Sequence, residues 1–204
     1  MNAPLWIKIC GMTDATGITA AAAAGADALG FVFYAPSPRN LSIAQAVELQ
    51  AVVPAGVKRV AVFLHPAAKL VADVLAHVRP DLLQLDLDDI AALELPESVG
   101  CLPVVRSGAV PATLPHRVLL ESARSGHGER ADWTEAHALG ARHEVILAGG
   151  LDADTVGLAI ATARPFGVDV SSGVESRRGS KDPALIDRFV KTARRAAHAA
   201  SAGH

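Results

Sequence analysis

The chain has 204 residues, 50% of them hydrophobic, and a formal net charge of -2 at pH 7. That length and apolar share suit one domain with a sizeable core. With no basic patch and no run of like charge, a nucleic-acid footprint and a charged tail are excluded. Two cysteines, Cys10 and Cys101, make no disulfide framework and fit a reducing, cytoplasmic setting. No basic-then-apolar leader is read at the start. The alanine run from Ala20 to Ala24 is far short of the ~20 apolar residues of a membrane span.

Strand and helix signals alternate along the chain. A strand is predicted over residues 5–10, a helix over 15–24, a strand over 28–33 and a helix over 43–53. Strands over 59–64 and 82–85 follow, with a helix over 67–78 between them and a shorter one over 89–93 after them. Strands five and six are predicted over 101–106 and 117–121, and Gly108, Pro111 and Pro115 leave little room for a helix between them. A helix over 134–139, a strand over 145–148, a helix over 153–163, a strand over 168–170 and a helix over 183–198 complete the series. Ser42 and Asp182 sit where helix N-caps are expected, Asp182 just ahead of Pro183. Residues 201–204 are expected to fray.

Eight strands with intervening helices predict parallel pairing through right-handed crossovers. Short apolar runs suit strands buried on both faces. The expected fold is α/β, one (β/α)8 TIM-barrel domain over residues 1–204, with the fifth helix short or replaced by a loop.

Strand alternation puts Ile7 and Ile9 against the helices and turns Lys8 and Cys10 into the barrel. A lysine there needs a partner. The eighth strand closes beside the first, and Asp169, between Val168 and Val170, faces inward, so a Lys8–Asp169 ion pair is expected. Its positive end would lie near Cys10 and favour the thiolate. Cys10 is either a reactive group at the mouth, where barrel enzymes keep their chemistry, or a small buried hydrophobe.

Two glycine-rich corners follow strands seven and eight, Leu147-Ala148-Gly149-Gly150-Leu151 and Val170-Ser171-Ser172-Gly173-Val174. Barrels often bind phosphate at these loops, because glycine lets backbone N–H groups approach an anion. The plainer reading is a pair of turns. Asp152 is placed to cap the next helix. Arg39 follows Pro36 and Pro38 in a stiffened loop; it is a planar fork for a carboxylate or a solvated charge. Arg39 and the glycine corners together point to a substrate with two anionic ends. Glu121 closes an apolar strand and is either a solvated acid or the partner of Cys10 in a base–acid pair. The loop after it holds Gly126 and Gly128. His65 and His127 lie near enough to the mouth to touch a substrate, whereas His137, His143 and His198 read as surface residues. The histidines show no metal-ligand spacing, and no metal site is expected.

Several segments together resemble the phosphoribosylanthranilate isomerase family. They are Lys8-Ile9-Cys10-Gly11-Met12-Thr13, Gly25-Ala26-Asp27-Ala28-Leu29-Gly30-Phe31-Val32-Phe33 with Ser37-Pro38-Arg39, Val60-Ala61-Val62-Phe63, the two glycine corners running on to Glu175, and Lys181-Asp182. The match holds in order over nearly the whole chain. It implies an Amadori rearrangement, with no metal or organic cofactor, of N-(5-phosphoribosyl)anthranilate to 1-(2-carboxyphenylamino)-1-deoxyribulose 5-phosphate. It also implies Cys10 as the general base at ribose C2 and Arg39 as the holder of the anthranilate carboxylate. The backbone at Gly149-Gly150 and Ser172-Gly173 is implied as the phosphate site.

Two strand ends depart from the family pattern. The family's acid is an aspartate after two leucines, where this chain has Leu119-Leu120-Glu121; Glu121 is the expected acid and Asp86 the next candidate. The family's Leu-Gln-Leu-His-Gly is replaced by Leu83-Gln84-Leu85-Asp86-Leu87. The segment after Arg106 is also shorter than the family's. Expected partners are a small phosphorylated anthranilate and, at most, a second copy of the chain, with no nucleic acid and no membrane. The related histidine-pathway aldose isomerase uses two aspartates, whereas strand one here ends in cysteine. Indole-glycerol-phosphate synthase needs lysine and glutamate positions that this chain does not offer. The alternative from another class is a barrel of the same fold that binds a phosphorylated ligand without turnover.

Overall fold

The computed structural model describes residues 4–122 and 130–202. Its eight parallel strands close in sequence order into a barrel. They are β1 Trp6–Cys10, β2 Ala28–Val32, β3 Lys58–Val62, β4 Leu82–Asp86, β5 Cys101–Arg106, β6 Arg117–Glu121, β7 Glu144–Leu147 and β8 Gly167–Val170. The helices between them are α1 Ala15–Ala24, α2 Ile43–Gln50, α3 Ala68–His77, α4 Leu87–Ala92, α5 Trp133–Gly140 and α6 Val156–Ala163, and α7 Pro183–Ala202 closes the series. No helix lies between β5 and β6; a loop joins them.

The alternation of the strands divides the core in two. Outward residues such as Ile7, Ile9, Leu29, Phe31, Leu83 and Leu120 pack against the helices. Leu102, Val104, Leu119, Ile146 and Ala148 form a separate inner cluster, with Trp6 and Phe166 against it. Leu102, Leu119 and Ile146 of this cluster plug the barrel beneath the mouth. The polar inward positions lie further along the strands, towards the mouth.

Local signals explain most of the element starts. Ser42 and Gln45 form a capping box at α2, Asp14 accepts from the Gly17 N–H at α1, and Asp132 accepts from the Thr134 and Glu135 N–H groups at α5. Asp182 accepts from the Ala184 and Leu185 N–H groups ahead of α7.

Three features differ from expectation. Asp152 does not cap α6: it accepts from the Asp154 and Thr155 N–H groups and folds a turn, and the helix starts later, at Val156. A small hairpin of β9 Glu175–Arg177 and β10 Ser180–Lys181 stands between β8 and α7. Ser201 and Ala202 continue α7 instead of fraying. Gly126, His127 and Gly128 lie outside the described residues. Among the described residues, no helix is long and apolar enough to cross a membrane.

Candidate active site

At the C-terminal mouth of the barrel the inward side chains enclose a cavity of about 420 Å³. That volume lies within the about 300–1,000 Å³ range of small-molecule sites. Cys10, Gln84, Asp86, Arg106, Glu121 and Asp169 all line it. Each occupies an inward position on its strand, so the pleat alone gathers them.

Beneath the cavity, Lys8 and Asp169 are register partners across β1 and β8. Lys8 Nζ lies 2.9 Å from Asp169 Oδ1, and the lysine is fully buried. Burial works against the ammonium, but Asp169 and Cys10 outweigh it and raise the Lys8 pKa. The expected ion pair is present.

Its effect on Cys10 is smaller than the sequence suggested. Burial pushes the Cys10 thiol up, and the charge of Lys8 offsets this only in part, with Asp169 acting against the thiolate and Lys181 for it. The net direction is upwards, because the desolvation of a thiolate inside a barrel exceeds the attraction of a lysine already paired with a carboxylate. Gly30 makes room for the thiol: a Cβ there would lie 2.7 Å from Cys10 Sγ and 3.2 Å from Lys8 Nζ.

Arg39 reaches the cavity wall, but its fork is not open. Its Nε and one terminal nitrogen donate to the two carboxylate oxygens of Glu175 at 2.7 and 2.8 Å. A ligand carboxylate would therefore meet the remaining guanidinium nitrogen. Lys181 Nζ donates to Glu175 Oε1 at 2.8 Å and to the Ser171 carbonyl at 2.9 Å. The Ser171 hydroxyl in turn donates to the Cys10 carbonyl at 3.0 Å. Burial opposes the Glu175 carboxylate, yet Arg39, Lys181 and the Gly179 N–H hold its pKa at about 2. Gly11, at φ +79, lets the Arg39 chain pass over it, since a Cβ there would sit 2.4 Å from Arg39 Cδ. One cluster thus ties together the loops after β1, β2 and β8.

The two glycine corners meet at an isolated bridge. Gly149 and Gly150 have φ of 86° and 62°, which favour glycine. Gly149, Gly150 and Ser172 line the cavity. Gly173 does not; it lies behind the wall, where Asp152 and Gly173 form an isolated bridge. A Cβ on Gly173 would come within 2.0 Å of the Leu151 carbonyl oxygen. Its part is to let the two corners close on each other.

Opposite Cys10, the last residues of β4, β5 and β6 form one charged group. Arg106 donates to Glu121 Oε2 at 2.6 Å and to Asp86 Oδ1 at 2.5 Å. Sequence reading missed Arg106, although it shares the inward alternation of Leu102 and Val104. The Gln84 side-chain oxygen is buried without a hydrogen-bond partner among the described residues, on the wall of the cavity.

His65 stands apart from the cavity lining. Its Nδ1 lies 3.1 Å from Asp89, and its Nε2 lies 3.9 Å from Asp86. Hydrogen bonding to Asp89, with that carboxylate's charge, pushes the imidazole above its ordinary range. His65, Asp86 and Asp89 are the one grouping among the described residues whose ligand atoms are close enough to hold a metal ion. Asp86 is already paired with Arg106, so the grouping reads as a charge network.

Comparison with known proteins identifies the family. A family model described as N-(5'-phosphoribosyl)anthranilate (PRA) isomerase matches residues 7–192. The N-(5'-phosphoribosyl)anthranilate isomerase of Pseudomonas fluorescens is 38% identical, with 92% of this chain and 95% of that protein covered. Its namesake from Granulibacter bethesdensis is 39% identical, with 93% and 98% covered. The crystal structure of phosphoribosyl anthranilate isomerase from Thermotoga maritima superposes with a TM-score of 0.81 at 30% identity, covering 93% of this chain and 98% of that one. A structure of such an isomerase in complex with reduced 1-(o-carboxyphenylamino)-1-deoxyribulose 5-phosphate gives a TM-score of 0.77 at 29% identity, again covering 93% and 98%. By its barrel and its sequence, the chain belongs to the N-(5'-phosphoribosyl)anthranilate isomerase family.

Proposed function

We propose that the chain converts N-(5-phosphoribosyl)anthranilate to 1-(2-carboxyphenylamino)-1-deoxyribulose 5-phosphate, with Glu121 as general acid and Cys10 as general base. One observation carries the reading. Cys10 and Glu121 share the wall of a single cavity into which the corners at Gly149-Gly150 and Ser171-Ser172 also open. The backbone N–H groups of those corners suit the phosphate, and Arg39 suits the anthranilate carboxylate. With both ends held, the ribose carbons lie between base and acid.

Each proton and electron pair has a destination. Glu121 gives a proton to the furanose ring oxygen, the bond from C1 to that oxygen breaks, and the nitrogen lone pair forms the C1=N bond of a protonated Schiff base. Cys10, as thiolate, takes the proton from C2. The C2–H pair becomes the C1=C2 bond and the C=N pair returns to nitrogen, giving an enolamine. Protonation at C1 and loss of the proton on O2 give the ketose. Carbon 1 is reduced as carbon 2 is oxidised, so the rearrangement needs no external redox partner.

Glu121 and Asp86, which stand where the family pattern has an aspartate and a histidine, favour the second reading, a phosphorylated-ligand barrel without turnover. Growth separates the two. Expression of this chain in a bacterial strain lacking the isomerase is expected to restore growth without tryptophan, and the Cys10→Ala variant is expected not to. Expression of folded protein without restored growth would favour the binding barrel.

A further inference from the structure

The two strand ends at which the sequence departs from its family's pattern, Asp86 and Glu121, are joined by one side chain. Arg106, the last residue of β5, pairs in register with Glu121, the last residue of β6. One of its terminal nitrogens lies 2.6 Å from Glu121 Oε2, and the other lies 2.5 Å from Asp86 Oδ1, at the end of β4. All three side chains are mostly shielded from solvent and line the cavity.

We propose that Arg106 is a positioning residue for the reaction proposed above, on which this inference rests. It fixes the carboxyl of Glu121, and Asp86 fixes Arg106. A glutamate has one more rotatable bond than an aspartate, so its side chain gives up more rotamer freedom when it is ordered. An acid on such a chain needs a holder if it is to meet one ring oxygen. The guanidinium supplies a rigid planar fork with a separate nitrogen for each carboxylate, which an ammonium on a flexible stem does not. The register of β5 and β6 sets the height of the fork, and Asp86 sets its rotation.

The test is steady-state kinetics on Arg106→Met, Arg106→Lys, Asp86→Asn and Glu121→Gln, and on the Arg106→Met/Glu121→Gln double variant. Arg106→Met is expected to lower kcat by about 10- to 100-fold with KM within about threefold, since a displaced acid loses part of the about 10²–10⁴-fold effect of general acid catalysis. Arg106→Lys is expected to recover part of the loss. The double variant is expected to be as slow as Glu121→Gln alone, because residues acting as a unit are non-additive.

A rise in KM at unchanged kcat would overturn the proposal by making Arg106 a substrate anchor. Multiplying losses in the double variant would also overturn it. If Arg106→Met does not fold, Asp86→Asn carries the test: it keeps an acceptor but removes its charge, and is expected to lower kcat several-fold with KM unchanged. Wild-type turnover with an undiminished kcat in Arg106→Met would overturn this inference alone. A folded wild-type protein with no turnover would overturn the isomerase reading and this inference with it.

Discussion

Glutamine in place of Glu175 would remove the anion that joins three loops of the site. The wild-type carboxylate has its pKa held at about 2, against an ordinary 4.5. At about 1.36 kcal/mol per unit of pKa, that gap is about 3 kcal/mol of folding stability. The side chain is 3% exposed, so solvent screening takes little from this figure. Because the folded pKa is depressed, the contribution is fully present above about pH 4.5 and is lost as pH falls towards 2, about 2 kcal/mol of it by pH 3. Glu175→Gln also leaves Arg39 and Lys181 without their shared counter-ion. Urea unfolding followed by circular dichroism, on wild type and variant at pH 7 and pH 3, reads the effect. The variant is expected to be about 3 kcal/mol less stable at pH 7, with a Tm lower by about 6–12 °C, and the difference is expected to shrink at pH 3. A difference below about 1 kcal/mol at pH 7, or one that does not change with pH, would refute the reasoning.

Glu121→Gln is expected to lower kcat by about 10²–10⁴-fold while a product analogue binds within about threefold of wild type, as measured by calorimetry. Retained turnover would move the acid role to Asp86. Gly30→Ala would place a Cβ 2.7 Å from Cys10 Sγ; a loss of about 1–3 kcal/mol in thermal unfolding and a marked fall in kcat are expected. Lys8→Met removes a charge that favours the Cys10 thiolate, so the rising limb of the kcat/KM–pH profile should move to higher pH. The same variant leaves Asp169 buried without its counter-ion and is expected to cost about 3–5 kcal/mol of stability. A limb that stays in place would mean that Lys8 does not act on the base.

Where one period governed a residue's environment, the sequence was readable. Lys8, Cys10 and Asp169 point inward because strand side chains alternate, and closure of β8 on β1 makes the first and third of these neighbours. Features that arise where several loops converge were not readable in the same way. Glu175 occupies the fork of Arg39 from 136 residues away, through a hairpin of three- and two-residue strands too short and polar to give a strand signal. Arg106 shares the inward alternation of its strand, but its two partners are fixed by the register of three strands. The direction of the Cys10 shift depends on how completely the thiol is desolvated, and packing decides that. Gly173 followed the same logic: its role as a spacer appears only once the Leu151 carbonyl lies against it.

The central claim is that the Cys10 thiolate takes the C2 proton. The measurement that meets it most directly is kcat for purified wild-type protein and for Cys10→Ala with N-(5-phosphoribosyl)anthranilate, alongside the affinity of each for a product analogue. The account predicts turnover in wild type and, in the variant, a kcat lower by at least about 100-fold with affinity nearly unchanged. A Cys10→Ala variant with kcat close to that of wild type would contradict it.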